Sequence, residues 1–220
     1  MEGMNYQAFW KFIKLLSDND LLQHVELIGS WCEYLYAQSG YLPGFTAGIR
    51  TLDIDFLVKN QRKPSKKLSL AKVAEDNGYL IDHDILSGST KIYTPDLMEI
   101  EFLIEQKGAG AEPVLRTNLG VTAQALRHLG ILKSNAITIT MFDQKISLPS
   151  PEAYVLHKIL INGQRGKKSE KDLQAIEGLW PFLDQTKVQE IIGSLTRKEK
   201  TIVEKFLDNT ENKETNVSVP

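Results

Sequence analysis

The chain has 220 residues, 42% apolar and 25% charged, with 28 acidic against 26 basic side chains and a formal net charge of −2. Such a composition excludes a disordered chain, a collagen-like repeat and a global positive field of the kind that attracts nucleic acid. Cys32, the single cysteine, permits no internal disulfide or cysteine zinc cluster. No apolar run approaches the ~20 residues of a membrane span, and residues 1–6 lack the layout of a secretory leader, so the expected location is the cytoplasm.

Residues 4–17 place Phe9, Trp10, Phe12, Ile13 and Leu16 at largely helical spacing, which predicts an amphipathic helix closed by Ser17-Asp18-Asn19-Asp20. A short strand over 24–28 then meets Gly29-Ser30, and 31–38 resumes a helical pattern. Three glycines and Pro43 make 39–48 a loop. Residues 52–58 alternate as a strand, 59–67 form a basic connection, and 68–77 read as a helix stopped by Gly78. Extended runs follow at 79–86, 91–94 and 97–104, then a glycine-rich segment at 108–113 that is expected to be mobile and to border a pocket. Residues 136–148 read as a hairpin turning at Asp143-Gln144. Ser150-Pro151 starts a helix, with proline tolerated at its first position. Helical patterns run over 151–162, 168–180 and 196–207, and the polar 209–220 is expected to fray. The predicted organisation is a sheet-rich domain over 1–149, a helical subdomain over 150–208 and a tail.

In the strand at 52–58, alternation places Asp53 and Asp55 together on the face opposite Leu52, Ile54, Phe56 and Val58. Their Cα atoms are then about 7 Å apart, close enough for like charges to raise one pKa or recruit a cation. A hard oxygen-loving ion such as Mg²⁺ suits such a pair. Glu99 and Glu101 repeat the arrangement between Met98, Ile100 and Phe102. If the two strands are neighbours, three carboxylates can converge. Glu101 is preferred as the third because Phe102-Leu103 echoes the Phe56-Leu57 after Asp55, and Glu99 stays the alternative. A solvated strand face is the competing explanation for any one acidic pair. Asp82-His83-Asp84 is assigned to such a face. Of three Gly-Ser pairs, only Gly29-Ser30 joins a predicted strand to a predicted helix, where exposed N–H groups and the helix dipole can hold an anion.

Strand, Gly29-Ser30, helix, loop and then Arg50-Thr51-Leu52-Asp53-Ile54-Asp55 resembles the signature of the DNA-polymerase-β-like nucleotidyltransferase superfamily, in particular its small bacterial members, which include abortive-infection and toxin–antitoxin toxins. The segment 151–160 with Arg165 and Lys171-Asp172 is similar to the helical part that follows the catalytic sheet there. The resemblance implies an α/β nucleotidyltransferase fold: a mixed, mostly antiparallel sheet flanked by helices, followed by a small helical bundle. It implies that Gly29 and Ser30 hold a nucleoside triphosphate, with Arg50, Lys158 and Asp172 also on the nucleotide side. Asp53 and Asp55 would bind Mg²⁺ or Mn²⁺, and Glu101 would take the third-carboxylate place as ligand or base. The spacing from Ser30 to Asp53 exceeds that of the most compact members, so 39–49 is expected to cap or replace part of the acceptor site.

The implied reaction moves a nucleotidyl group to an acceptor hydroxyl with release of pyrophosphate. The acceptor stays open between RNA, protein and a small molecule. Rival readings are a nucleotide-binding or partner-binding module without catalysis, and a toxin neutralised by an antitoxin-like partner. The four histidines are scattered, with no zinc spacing. Trp31, Tyr34, Tyr36 and Cys32 are read as packing residues. Lys158 and Arg165 are seven apart and would share a helix face if the helix persists past Gly163.

Overall fold

The structure, a computed structural model, describes residues 2–48, 51–106, 108, 113–163, 166 and 169–217. The chain divides into two compact units, Met1–Pro149 and Ser150–Pro220.

In the first unit, α1 (Glu2–Asp18) leads through a 3₁₀ turn at Leu22–His24 into β1 (Val25–Ile28), α2 (Trp31–Gln38), β2 (Asp53–Val58), α3 (Leu70–Asp76), β3 (Leu80–His83), β4 (Thr90–Tyr93) and β5 (Glu99–Glu105). Then come β6 (Val114–Arg116), β7 (Thr122–Leu126), α4 (Leu129–Ser134), β8 (Ala136–Met141) and β9 (Gln144–Pro149). Seven strands form one sheet along β1-β2-β5-β4-β3, with β6 and β7 attached through β5, while β8 and β9 form a separate hairpin. The fold is mixed α/β, and its sheet is mostly antiparallel. The parallel pairs are β2 with β5 and β5 with β7. β4 runs beside the first residues of β5 and β7 beside its last.

One face of this sheet is apolar for the reason the alternation gives: Ile54, Phe56, Ile100 and Phe102 are buried, and Phe12 of α1 meets Phe56 with ring centroids 5.9 Å apart. Phe9 stacks on Trp31 at 4.3 Å, which secures α1 to α2. Trp31 and Tyr36 are fully buried, Tyr36 donates to the Pro149 carbonyl at 2.7 Å, and the Cys32 thiol donates to the Leu27 carbonyl at 3.4 Å. These aromatics and the cysteine pack the core. Leu52, placed by alternation on the apolar face, is half exposed just before β2 begins.

Four elements fall where the sequence reading predicts none. β6 has three residues, and β7, Thr-Ala-Gln-Ala-Leu, is poor in β-formers and held by pairing to β5 and β6. Helix α4 spans six residues behind the left-handed His128, so no ordinary cap announces it. In the second unit, α7 (Gln185–Ser194) does carry a signal: the Asp184 carboxylate accepts from the N–H of Thr186 at 2.9 Å and Lys187 at 3.3 Å. The β8–β9 turn lies one residue earlier than predicted, on Phe142 and Asp143, both at positive φ. A phenylalanine is disfavoured there, and its ring contact with Trp10 at 4.8 Å offsets part of that cost.

The second unit comprises α5 (Pro151–Asn162), α6 (Ser169–Leu179), a 3₁₀ turn at Trp180–Phe182, α7 and α8 (Arg197–Val217). Ser150 caps α5 by accepting from the Ala153 N–H at 3.4 Å, as the Ser-Pro pair predicts. Helix α8 continues through the polar residues 209–217 that were expected to fray.

Candidate active site

Parallel pairing of β2 with β5 sets Asp53 opposite Glu99 and Asp55 opposite Glu101. Partners across such a pair are about 4.8 Å apart and share a face, so four carboxylates form a two-by-two array on the sheet face opposite the apolar core. This is the neighbour relationship on which the three-acid expectation depends. Neither Glu99 nor Glu101 is excluded by register, because each faces one of the two aspartates.

Gly29 completes the array from β1, whose Ile28 lies opposite Asp55. It has φ of +74°, a left-handed backbone that side chains disfavour, and a Cβ built on it would collide with the Asp55 carboxylate, with its Cγ at 3.2 Å. Glycine therefore meets two demands at one position. It makes the strand-to-helix bend and leaves a cradle in which Asp55 rests against bare backbone. Ser30 follows as the N-cap of α2, and its hydroxyl makes no cap hydrogen bond, so it is uncommitted to the helix. The Asp53 N–H donates to the Thr51 hydroxyl at 3.2 Å, fixing the entry into β2.

Two residues absent from the sequence reading complete the site. β4 pairs antiparallel with β5, placing Lys91 opposite Glu101 and Tyr93 opposite Glu99. Lys91 Nζ forms a short ion pair with Glu99 and lies 3.1 Å from Glu101 and 3.8 Å from Asp84, while the Tyr93 hydroxyl donates to Glu99 at 3.4 Å. Asp84, read from sequence as part of a solvated stretch, thus belongs to the network, whereas Asp82 and His83 are exposed. The signal was the Lys-x-Tyr alternation of residues 91–93, which becomes meaningful only with the register of β4 against β5.

This network separates the two glutamates electrostatically. Burial pushes the Glu101 carboxyl up, and the neighbouring Glu99 adds to the rise against the pull of Lys91. Burial also pushes Glu99 up, but hydrogen bonds with Lys91 and Glu101 outweigh it and leave Glu99 below its ordinary value. Lys91 is raised, chiefly by its hydrogen bond to Glu99. Glu99 is therefore the settled anion of the pair, and Glu101 the carboxyl more ready to hold a proton.

A metal fits part of this donor set. Asp53 and Asp55 offer hard oxygens side by side, and the Gly29 cradle leaves the Asp55 carboxylate room that a Cβ would fill. The third donor is engaged by Lys91, and among the described residues no group of three His, Cys, Asp or Glu side chains stands ready to hold an ion.

Arg50, Arg165 and residues 109–112 of the glycine-rich segment lie outside the described residues. Lys158 and Asp172, expected at the nucleotide, are buried in the second unit and bound to each other at 2.8 Å, with Lys158 over the Tyr154 ring at 4.9 Å. The pair ties α5 to α6, and a phosphate would have to compete with Asp172 for the ammonium.

The sheet, the acid array and the glycine bend together define a nucleotidyltransferase-type fold, and the chain belongs to the Nucleotidyltransferase family, whose sequence profile matches residues 7–197. Among solved structures it is similar to the antibiotic-resistance factor ANT(2'')-Ia in solution, with TM-score 0.54 and 11% identity over 98% of this chain and all of that one. It is similarly close to ANT(2'')-Ia in complex with adenylyl-2''-tobramycin, with TM-score 0.52 and 13% identity over 91% of this chain and 99% of the other. At these identities the likeness concerns the fold. No curated protein matches the chain.

Proposed function

We propose that the protein transfers a nucleotidyl group from a nucleoside triphosphate to an acceptor hydroxyl, releasing pyrophosphate. The observation that carries this reading is the register of β2 against β5, which sets Asp55 beside Glu101 with Gly29 packed against Asp55, in a chain of the Nucleotidyltransferase family. Asp53 and Asp55 would hold Mg²⁺ or Mn²⁺, which when bound offsets the charge that develops around the α-phosphate.

The chain's own groups supply the rest. The bend at Gly29 and the uncommitted Ser30 hydroxyl, at the start of α2, offer hydrogen-bond donors to the leaving phosphates. The ionised Glu101 carboxylate, made more basic by burial and by Glu99, accepts the proton of the acceptor hydroxyl as that oxygen bonds to the α-phosphorus. The bond from the α-phosphorus to the bridging oxygen breaks, and its electron pair leaves with pyrophosphate.

One observation favours a second reading, a nucleotide-binding module without transfer: Lys91 already neutralises the glutamate pair. An acceptor screen separates the two. The protein is incubated with each α-labelled nucleoside triphosphate, Mg²⁺ and either total RNA, total protein, or a panel of small polyols that includes aminoglycosides, the acceptor class bound in the ANT(2'')-Ia complex. Label in one acceptor pool supports transfer and names the class. Saturable triphosphate binding with every pool unlabelled supports the binding module and overturns transfer.

A further inference from the structure

We infer that Lys91 is an exchangeable internal cation of the acid array: it holds Glu99 and Glu101 while no divalent ion is bound, and moves onto Asp84 when one arrives. This deepens the nucleotidyltransfer reading and rests on it.

Four carboxylates on one sheet face repel one another, and the array needs positive charge whether or not a metal is present. Lys91 supplies it from β4, with Nζ in a short ion pair to Glu99 and 3.1 Å from Glu101. A dication held by Asp53 and Asp55 would lie within a few ångströms of an ammonium on Glu101, which faces Asp55 across the strand pair, and like charges that close exclude one another strongly. The two cations therefore compete for the place beside Glu101.

The displaced ammonium has a prepared destination. Asp84 Oδ1 accepts from the N–H of Leu86 at 3.1 Å, the N–H of Ser87 at 2.7 Å and the Ser87 hydroxyl at 2.9 Å. Those three bonds fix the carboxylate with Oδ2 toward Lys91, 3.8 Å from Nζ. A shift of about 1 Å turns that separation into a direct charge-assisted hydrogen bond. Lys91 thus stands between two anionic seats, one on the catalytic acids and one outside them, and is itself only partly covered, with 19% of its side chain exposed. A lysine serving only to join β4 to β5 would need one acid, not an inner pair and a braced outer one. The ammonium keeps its three protons throughout, so the exchange moves charge without chemistry.

Mn²⁺ titrations read by electron paramagnetic resonance, without nucleotide, test the competition. Lys91→Met should bind Mn²⁺ about tenfold or more tighter than wild type, and Lys91→Arg, which keeps the charge, should stay near wild type. Equal or weaker binding by Lys91→Met overturns the exchange. The background reading fails separately: if the tightened binding survives Asp53→Asn with Asp55→Asn, the ion is not on those acids. If wild type and Lys91→Met bind alike and both lose Mn²⁺ in that background, the acids hold the metal and only the Lys91 exchange is wrong. Wild-type protein gives an independent readout that no folding defect can obscure. The Lys91 side-chain ammonium resonance should shift on saturation with Mg²⁺ as its partner changes from Glu99 and Glu101 to Asp84, and a resonance that bound Mg²⁺ leaves unchanged contradicts the exchange.

Discussion

Gly29 concentrates the site's demands on one residue. Substituting alanine adds a methyl group both at positive φ and against the Asp55 carboxylate. The backbone cost is about 1–2 kcal/mol, and the displaced carboxylate no longer lines up with Glu101. Gly29→Ala should therefore lower the unfolding midpoint by a few degrees and reduce nucleotide transfer at least a hundredfold, as measured by calorimetry and label incorporation. Loss of transfer without loss of stability would mean that the strain argument is wrong. Asp53→Asn combined with Asp55→Asn relieves like-charge repulsion, so thermal unfolding should be unchanged or slightly improved while transfer disappears. At this scale the acids were legible because alternation is a local property of a strand. Lys91, Tyr93 and Asp84 were not, because their meaning lies in which strands become neighbours and in what register, information that no single segment carries.

Among elements, α5 and α6 depend on a buried ion pair, Lys158 with Asp172, whose side chains are 10% and 4% exposed. Breaking such a pair from one side strands the other charge and costs roughly 3–5 kcal/mol, whereas replacing both with apolar groups is often neutral. Lys158→Met alone should thus destabilise strongly in urea unfolding, and Lys158→Met with Asp172→Leu should recover most of the loss. If the single variant is as stable as wild type while triphosphate binding collapses, the pair belongs to the nucleotide after all. The start of α5 and the end of α3 were readable because Ser150 is a capping residue before proline and Gly78 ends α3 in a left-handed turn, whereas α3 begins after its cap Ser69 and not at the expected residue 68. Asp184 was an equally good signal for α7. By contrast, β7 and α4 are too short and too weakly patterned to declare themselves, and each is stabilised by what it packs against.

At the level of the whole molecule, one buried group links stability to pH. Glu26 on β1 is 1% exposed, its Oε1 has no hydrogen-bond partner, and burial pushes its carboxyl up to about 7 against the pull of Lys59 and Lys133. A carboxyl raised on folding binds its proton more tightly in the native state than in the unfolded one. Stability therefore falls as pH rises from the unfolded value of about 4.5 toward 7, then levels off. The full loss is on the order of 3 kcal/mol. Glu26→Gln should flatten that slope and outlast wild type at pH 8 while nearly matching it at pH 4.5, a difference that urea titrations at the two pH values would detect. Parallel slopes for the two proteins would show that Glu26 does not titrate in this window.

In the proposed reaction Asp53 and Asp55, with Glu101 beside them, carry nucleotidyl transfer. The most direct test follows two labels on one nucleoside triphosphate once an acceptor pool is known. The α-phosphate label should appear on the acceptor and the γ-phosphate label in pyrophosphate, in equal amounts, and both signals should vanish in the Asp53→Asn, Asp55→Asn double variant with its unfolding midpoint intact. Transfer of the γ-label to acceptor, or wild-type turnover by the double variant, would contradict it.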